Sequence, residues 1–372
     1  MSFQETLSDY QGFDFDRFFA GVSDADVTRS LARESLGATD FLTLLSPRAS
    51  DHLEAIAQRA QNLTVQQFGR TIQMFIPLYL SNHCKNRCTY CGFNVTNEIP
   101  RRVLSLAEIE REAEAIARTG MQHVLILTGE DRRATPLEYL CDAVAVLKRY
   151  FASVSIEIYP LHTEEYAQLK AAGVDGMTVF QETYDPAVYK SVHLGGKKRD
   201  FAWRLDAPAR AAEAGLRTVN IGPLLGLAEP RREMFFTGLH ARFLETNFLQ
   251  TEVAVSLPRI NEAEGGFSAT QHVGDRLFVQ LMTALRVFLP RAGITLSTRE
   301  RAEFRDRLLT LGATRFSAGS STGVGGYAIP IKQQADSALQ FEITDERSVG
   351  EVAAAIVARR YQPVFKDWEA AL

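Results

Sequence analysis

Three of the four cysteines of this 372-residue chain stand close together, in the stretch SNHCKNRCTYCGF. Cys84, Cys88 and Cys91 are separated by three residues and then by two, and the fourth cysteine, Cys141, lies far along the chain. Iron–sulfur proteins usually supply one cysteine to each iron of a four-iron cluster. Three cysteines therefore predict a cluster with one iron open to a substrate or cofactor, by the logic that keeps a position open on a catalytic zinc.

Two other interpretations of these cysteines stay open. One is a zinc site completed by His83 or Cys141, and the other is a set of thiols that bind no metal. Structural zinc usually arises from two paired knuckles, whereas this chain has one short run. Cys141 lies in the helix-like stretch LCDAVAVL, which is typical of a buried apolar thiol.

The composition argues against several classes of partner. The chain has 41 Lys and Arg against 45 Asp and Glu, a net charge of −4, which gives no electrostatic footprint for nucleic acid or an anionic membrane. It shows no signal-peptide pattern and no long uncharged apolar window. The clustered cysteines do not form a spaced secretory disulfide framework. We therefore expect a soluble, cytoplasmic protein with no nucleic acid and no membrane partner.

The elements that position the cysteines are predicted by an alternation of strand-like and helix-like stretches. Parallel strands need helical crossovers, and a closed sheet has no exposed edges, so eight such units predict an α/β fold with a (βα)8 barrel. An open doubly wound sheet is the alternative. The eight strand-like runs are Met74–Ser81, His123–Gly129, Ser153–Pro160, Gly176–Glu182, Thr218–Gly226, Thr251–Pro258, Gly293–Arg299 and Thr314–Ser320.

The clearest predicted helix spans Ser105–Gly120. Ser105 and Glu108 form a capping box, an apolar stripe follows at helical spacing, and Gly120 ends the pattern. Residues 1–70 look helical and predict an N-terminal extension. Residues 71–330 make the predicted barrel, and residues 331–372 a C-terminal tail with a further helix that packs on it.

The cysteine stretch follows the first predicted strand directly, at the face where barrel enzymes build their active sites. CKNRCTYCGF resembles the CxxxCxxC loop of the radical S-adenosylmethionine (SAM) enzymes, with Tyr90 at the aromatic position between the second and third cysteines. The stretches LTGE, QETY, GKKRDFAWRLDAP, LSTRE, SAGSST, GGYA and QPVFKDW extend this resemblance to the 2-iminoacetate synthase family, the tyrosine lyases of thiamine thiazole biosynthesis. Near relatives are the tryptophan lyases and the hydrogenase-maturation tyrosine lyases. The latter need further C-terminal cysteines, and this chain has none after Cys141.

The resemblance implies a barrel of the radical SAM type and a cofactor site. Cys84, Cys88 and Cys91 would hold a [4Fe–4S] cluster, and SAM would chelate its open iron through its amino and carboxylate groups. The implied SAM contacts are Tyr90 beside the cluster, Thr128, Gly129 and Glu130 at the methionine amino group, Glu157 at the ribose, Arg204 at the methionine carboxylate, and Gly222 and Leu224 against adenine. Several of these residues also have a structural interpretation that does not depend on the resemblance. Gly129 and Glu130 are consistent with a strand-end turn, and Glu157 with a structural ion pair inside the barrel. Arg204 is consistent with a helix-surface arginine, and Gly222 and Leu224 with a plain βα turn.

The resemblance also implies an amino-acid pocket at the last strands. Arg299, Ser317 and Ser320 would hold the substrate carboxylate, whereas Arg301 is expected to face outside. Tyr79 and Ser81 would line the pocket, because strand alternation turns both inward. The implied reaction is cleavage of L-tyrosine to 2-iminoacetate (dehydroglycine) and p-cresol through a 5′-deoxyadenosyl radical. The implied partners are L-tyrosine or another aromatic amino acid, an electron donor such as flavodoxin or ferredoxin, and the thiazole synthase protein.

One departure from the family pattern leaves the identity of the amino-acid substrate open. The stretch SLPRINEAEGG has Asn261 and Glu262 where the family commonly has a second arginine and a proline. A changed charge at the pocket mouth leaves a tryptophan lyase that forms a methylindole carboxylate as an alternative. A metal-carrying accessory protein of the thiazole pathway is the alternative from a different class.

Overall fold

Eight parallel strands close into a barrel in the computed structural model, which describes residues 2–261, 266–334 and 338–367. Each strand pairs with the next along the chain, and the first pairs with both the second and the eighth. The predicted (βα)8 barrel is therefore confirmed. The strands are β1 Thr71–Ser81, β2 His123–Thr128, β3 Ser153–Glu157, β4 Gly176–Glu182, β5 Thr218–Pro223, β6 Glu252–Ser256, β7 Gly293–Leu296 and β8 Arg315–Ser317.

The strands lie within the predicted runs, except that β1 begins earlier than predicted. Only β4 has the predicted bounds, and most of the others end sooner. The residues beyond these strand ends leave the ladder and form turns at the carboxyl-terminal face. Sequence periodicity does not separate such residues from the strand that precedes them, because several of them, such as Ile158 and Leu257, are apolar and buried like the strand residues.

Five helices precede the barrel, as predicted for residues 1–70. They are α1 Gln4–Asp9, α2 Phe15–Gly21, α3 Asp24–Ala32, α4 Ala38–Leu45 and α5 Leu53–Phe68. α4 and α5 pack on the outer layer of the barrel, where the ring of Phe41 stacks on that of Phe288 at 4.3 Å. This extension therefore shares the hydrophobic core of the barrel.

The outer layer begins with the predicted helix, which spans Leu106–Ala117. The Ser105 side chain accepts from the backbone N–H of Glu108 and the Glu108 side chain accepts from that of Ser105, so the capping box is confirmed. The outer helices are α6 Leu106–Ala117, α7 Leu137–Leu147, α8 Thr163–Ala172, α9 Pro186–Val192, α10 Phe201–Leu205, α11 Ala207–Glu213, α12 Pro230–Asn247, α13 Asp275–Phe288 and α14 Ala302–Leu308. Short 3₁₀ turns occur at Arg48–His52, Lys197–Arg199, Leu309–Leu311 and Ile331–Gln333.

The tail contains the predicted helix, α15 Val349–Ala358, and a strand that the sequence did not predict. This strand, β9 Gln362–Val364, runs parallel to β1 and pairs with Thr71–Gln73, before β2 begins to pair. The end of the predicted tail, residues 368–372, lies outside the described residues. We propose that residues 331–334 and 338–367 are an appendage of the barrel, because they touch both its amino-terminal and its carboxyl-terminal end.

The barrel encloses a cavity that extends inward from the carboxyl-terminal face. Its deeper wall is polar: the Asn220 amide donates to the hydroxyls of Ser256 at 2.8 Å and Thr178 at 3.2 Å. Barrel interiors are usually filled by apolar side chains, so this polar lining is consistent with a space for polar ligands. Among the described residues, no helix has the length and apolar character needed to cross a membrane.

Candidate active site

The cysteine loop leaves β1 through an irregular turn. A bulge between Tyr79 and Ser81 shifts the pairing with β2, and the Ser81 hydroxyl accepts from the N–H of His83 at 3.1 Å. The N–H of Gly129, just beyond β2, donates to the carbonyl of Ser81 at 2.8 Å. A Cβ at Gly129 would lie 2.3 Å from the carbonyl oxygen of His83. Glycine is therefore required there, because the start of the loop lies directly against the end of β2.

The thiols of Cys84, Cys88 and Cys91 line the same cavity. Burial raises the pKa of all three, to about 11 for Cys91, so each thiol must lose a proton when it binds a metal. Among the described residues, no three His, Cys, Asp or Glu side chains converge closely enough to hold a single metal ion. Thiolates that ligate separate irons of one cluster need not converge in this way. The donor set of three soft sulfur ligands on one loop fits a four-iron cluster.

A buried ion pair lies beside the cysteines. Arg204 Nη1 donates to Glu130 Oε1 at 2.8 Å, and Asn86 Nδ2 donates to Glu130 Oε2 at 2.7 Å. Arg204 is held from behind, since its Nε donates to the carbonyl of Phe180 at 2.6 Å. Burial would raise the pKa of Glu130, but Arg204 and Lys198 outweigh it and the pKa is lowered. Both charges therefore persist inside the cavity, where they suit the ammonium and carboxylate of a zwitterion.

Sequence reasoning missed a second buried ion pair, between Glu182 and Lys198. Lys198 Nζ lies 2.7 Å from Glu182 Oε1, and Arg204 Nη2 lies 4.0 Å from the same oxygen. Glu182 ends β4 with φ of 72°, a left-handed conformation that is uncommon for a residue other than glycine. Such conformations cluster at functional sites. The stretches QETY and GKKRD belonged to the family resemblance, but neither periodicity nor composition indicated that these two side chains meet.

Glu157, at the end of β3, points into the cavity as expected for a ligand contact. Burial and the negative charge of Glu182 raise its pKa to about 7, although Lys198, Arg299 and Arg204 act in the other direction. A carboxyl group with this pKa can accept or donate hydrogen bonds near neutral pH. Both roles suit the paired hydroxyls of a ribose.

Tyr90 is fixed by a buried histidine. Its hydroxyl lies 2.7 Å from Nε2 of His193, and Nδ1 of His193 lies 2.8 Å from the carbonyl of Tyr189. Burial, Lys198 and Arg204 lower the pKa of His193 to about 3, so the ring is neutral. Nδ1–H therefore donates to the carbonyl, and Nε2 accepts from the tyrosine hydroxyl. This chain of hydrogen bonds orients the Tyr90 ring at the cavity wall.

Arg299 lies in the cavity wall without a carboxylate partner among the described residues. Its guanidinium stacks on the ring of Phe341 at 3.3 Å, and its contact with the carbonyl of Arg259 is long, at 3.5 Å. Burial lowers the pKa of Arg299, although Tyr79, Glu182 and Glu157 act in the other direction. Arg301 is exposed and pairs with Asp275 at 2.6 Å, as predicted. A half-buried arginine in a cavity wall that lacks a carboxylate partner among the described residues is a suitable site for a substrate carboxylate.

Buried hydroxyls complete the cavity wall. Ser320 Oγ and Thr128 Oγ1 have no hydrogen-bond partner within the described structure, although both residues line the cavity. Buried polar atoms are rarely left unpaired, so both are suitable ligand contacts. Ser317 also lines the cavity, but its hydroxyl accepts from the N–H of Thr298 at 3.1 Å. Ser317 therefore braces the end of β7 in addition to facing the ligand space.

The tail extends over the mouth of the barrel and reaches the cysteine loop. The Tyr79 hydroxyl donates to Gln340 Oε1 at 2.6 Å, and Gln340 Nε2 lies 3.9 Å from Cys91 Sγ. The carbonyl of Gln340 also accepts from the N–H of Gly92 at 3.0 Å. One tail residue thus joins Tyr79 to the thiol of Cys91, a contact that no sequence pattern predicted.

Two predicted site residues do not line the cavity. Ser81 was expected to face inward with Tyr79, but the bulge between them breaks the alternation, and the serine hydroxyl is used by the turn. Gly222 was expected against adenine, but a Cβ there would lie 2.1 Å from the carbonyl of Ser256, so glycine serves the approach of β5 to β6. Leu224 does line the cavity, as expected.

Asn261, the departure from the family pattern, lies at the mouth. Its side-chain amide donates to the carbonyls of Arg299 at 3.0 Å and Glu342 at 3.1 Å. It therefore joins the arginine segment to the tail and brings no charge into the cavity. Its neighbour Glu262 lies outside the described residues.

Comparisons with known proteins agree with this geometry. Residues 78–236 match the Radical SAM superfamily, and residues 256–362 match the Biotin and Thiamin Synthesis associated domain. The chain is 41% identical to 2-iminoacetate synthase of Salmonella typhimurium over 94% of this chain and 92% of that protein. It is 42% identical to 2-iminoacetate synthase of Escherichia coli over 95% of this chain and 93% of that protein.

Solved structures give the same relationship. The fold superposes on HydG of Carboxydothermus hydrogenoformans, an FeFe-hydrogenase maturase, with a TM-score of 0.83 and 30% identity, over 98% of this chain and 82% of that one. The cysteine loop, the barrel and an identity above 40% over nearly the whole chain lead to one conclusion. The chain belongs to the 2-iminoacetate synthase family of radical SAM enzymes.

Proposed function

We propose that this enzyme cleaves L-tyrosine to 2-iminoacetate and p-cresol, with a [4Fe–4S] cluster held by Cys84, Cys88 and Cys91 and with SAM bound beside it. The cluster and SAM, when bound, supply a 5′-deoxyadenosyl radical that removes a hydrogen from the tyrosine amino group. The single observation that carries the choice of an amino-acid substrate is Arg299, which lies half-buried in the cavity wall without a carboxylate partner among the described residues.

The charged groups beside the cysteines suit SAM. Glu130 would accept from the methionine ammonium and Arg204 would donate to the methionine carboxylate, so the ligand would replace part of their mutual ion pair. Thr128 would supply a further hydroxyl. Glu157 would meet the ribose hydroxyls, and Tyr90 and Leu224 would form the wall beside them. A separate ion pair, Glu182 with Lys198, would keep the remaining buried charge balanced.

The opposite wall suits the amino acid. Arg299 would donate to the tyrosine carboxylate through its planar fork, with Ser320 and Ser317 as neighbouring hydroxyls. Phe341 fixes the plane of that fork, and Tyr79 closes the pocket towards the tail. These residues enclose the ligands and exclude water, which protects a radical from other hydrogen donors. Because dehydroglycine hydrolyses readily, we also propose its transfer to a thiazole synthase.

The test is anaerobic reconstitution with iron, sulfide, SAM and a reductant, followed by product analysis with tyrosine and with tryptophan. We expect an iron–sulfur absorption spectrum, 5′-deoxyadenosine, and p-cresol from tyrosine. A methylindole carboxylate from tryptophan, with no p-cresol from tyrosine, would overturn the substrate. A colourless protein that holds one zinc ion and forms no 5′-deoxyadenosine would support the accessory protein instead.

A further inference from the structure

A basic surface covers the outer side of the cysteine loop. It consists of the exposed cations Lys85 and Arg87 on the loop, and Lys190, Lys197 and Arg199 on residues 190–199, a segment that lies beside the loop. Residues 83–89 and 190–199 contain no Asp or Glu, although the whole chain carries a net charge of −4. Among these five cations in the described structure, Lys85 forms an ion pair, with the buried Asp131 at 3.3 Å. This surface therefore differs in charge from the chain as a whole.

Backbone hydrogen bonds fix this surface to the cysteine loop. The N–H of Thr89 donates to the carbonyl of Val192 at 3.0 Å, and Arg87 exchanges two bonds of 2.9 Å with the segment, one at Leu194 and one at Gly195. Cys88 itself pairs with His193 as an antiparallel bridge. A single layer of chain thus separates the buried thiols from the basic surface.

The same segment returns to the loop at its other end. The N–H of Lys198 donates to Asn86 Oδ1 at 3.0 Å. Gly196 makes this possible, because its φ is 86° and a Cβ there would lie 2.2 Å from Asn86 Oδ1. The cations at 197 and 199 are therefore held over the loop by defined backbone contacts, which distinguishes them from cations on a mobile surface.

Two large apolar side chains are exposed among these cations. Leu194 is 49% exposed, and Val95, whose N–H donates to the carbonyl of Asn86 at 3.0 Å, is 40% exposed. Both belong to the small set of large apolar residues exposed in the described structure. The exposed acids Glu98 and Asp200 adjoin this surface at its edges, and the cations outnumber them. Apolar side chains beside such a cluster of cations are typical of a surface that binds a complementary protein.

We propose that this surface, Lys85, Arg87, Lys190, Leu194, Lys197 and Arg199 with Val95, docks an acidic one-electron carrier protein that reduces the cluster. The proposal rests on the proposed function, because only a cluster-bearing enzyme needs this electron. One electron passes from the reduced carrier to the oxidised cluster, and no bond or proton is transferred. The positive surface attracts an acidic partner over distances near the Debye length and positions it one chain layer from the thiols.

The test uses flavodoxin as the carrier and a double charge reversal, Lys197→Glu with Arg199→Glu. Neither residue contacts the cavity, so activity with dithionite should stay within twofold of the wild type. We expect the affinity for oxidised flavodoxin at low salt to fall at least tenfold, and p-cresol formation driven by reduced flavodoxin to fall with it. Affinity of the wild type should also decline as salt rises, with a shallower decline in the variant.

The matched control is Arg111→Glu with Arg291→Glu, which makes the same charge change on α6 and in the turn before β7, where both residues are exposed. Unchanged flavodoxin affinity in the first variant, or an equal loss in the control, would overturn the docking surface. Binding without electron transfer would overturn it too. Absence of p-cresol from the wild type with dithionite would instead count against the proposed function, so the two failures are distinguishable.

Discussion

The guanidinium of Arg204 lies 2.8 Å from the carboxylate of Glu130, and both side chains line the cavity wall. In this arrangement the two residues satisfy each other, so the protein remains electrically compensated before a ligand arrives. A methionine moiety has one ammonium and one carboxylate. Its ammonium could replace Arg204 as the partner of Glu130, and its carboxylate could replace Glu130 as the partner of Arg204. We therefore propose that the pair is a preformed receptor for a zwitterion, at little cost in uncompensated charge.

Glu130→Gln removes the negative half of this receptor. We expect the dissociation constant for SAM to rise by about ten- to a hundredfold, because a hydrogen bond to a charged group contributes about 1.5–3 kcal/mol. Equilibrium binding of SAM to the reconstituted protein measures this change. Iron content and the cluster spectrum serve as the control and should not change, since Glu130 supplies no sulfur ligand. A variant with wild-type SAM affinity would contradict the assignment.

Arg299→Lys keeps the charge but removes the planar fork. We expect the tyrosine concentration for half-maximal p-cresol formation to rise by about tenfold or more, while SAM affinity is retained. Arg301→Lys is the matched control, because Arg301 is exposed and pairs with Asp275 outside the cavity. If the two variants gave the same tyrosine dependence, the substrate carboxylate would have to bind elsewhere.

The barrel and the cysteine loop could be predicted from the sequence because they depend on local patterns. The strand and helix periods give the order of elements, and the turn after β1 places Cys84, Cys88 and Cys91 at the carboxyl-terminal face. Ser81 shows where such reasoning fails: alternation assigns it to the pocket, and a single bulge removes it. A bulge depends on the neighbouring strand, which no local pattern encodes.

The contacts that the sequence did not predict join residues that lie far apart in the chain. Lys198 meets Glu182 from the connection that follows β4, and Gln340 reaches Tyr79 from the tail. A charged residue in a loop, such as Lys198, is interpreted as solvent-exposed unless its partner is known. A single glutamine such as Gln340 belongs to no hydrophobic pattern that would predict its contacts. Single-sequence reasoning can therefore name the candidate cluster ligands, but it cannot find the residues that surround them.

Gln340→Leu tests one of these unpredicted contacts. Hydrogen bonds to cluster sulfurs influence the reduction potential. Since the Gln340 amide lies 3.9 Å from Cys91 Sγ, removing this donor should shift the potential to a more negative value. An anaerobic redox titration followed by EPR measures the shift. Tyr79→Phe is the control, because it removes the hydroxyl that donates to Gln340 but leaves the amide. An equal shift in both variants would mean that the amide does not act on the sulfur.

Glu233 leads to a prediction about stability and pH. It lies on α12, accepts from the Thr183 hydroxyl and the Tyr184 N–H at 2.9 Å each, and thereby holds the turn that follows Glu182. Burial raises the pKa of Glu233 from 4.5 to about 8, despite these donors. Between these two values the folded protein keeps a proton that the unfolded chain has lost. The free energy of unfolding should therefore fall as pH rises through this range, by up to about 1.4 kcal/mol per pH unit from this group.

Glu233→Gln removes that contribution, because an amide keeps an acceptor for the turn and does not titrate. The difference in unfolding free energy between variant and wild type should move in favour of the variant as pH increases from 6 to 8. Urea unfolding of the metal-free protein under reducing conditions, at three pH values, gives this difference. Glu303→Gln, an exposed site on α14, should leave the wild-type dependence unchanged. If Glu233→Gln followed the wild type in parallel at every pH, the folded protein would hold Glu233 ionised, and the turn after Glu182 would be bound by a buried carboxylate.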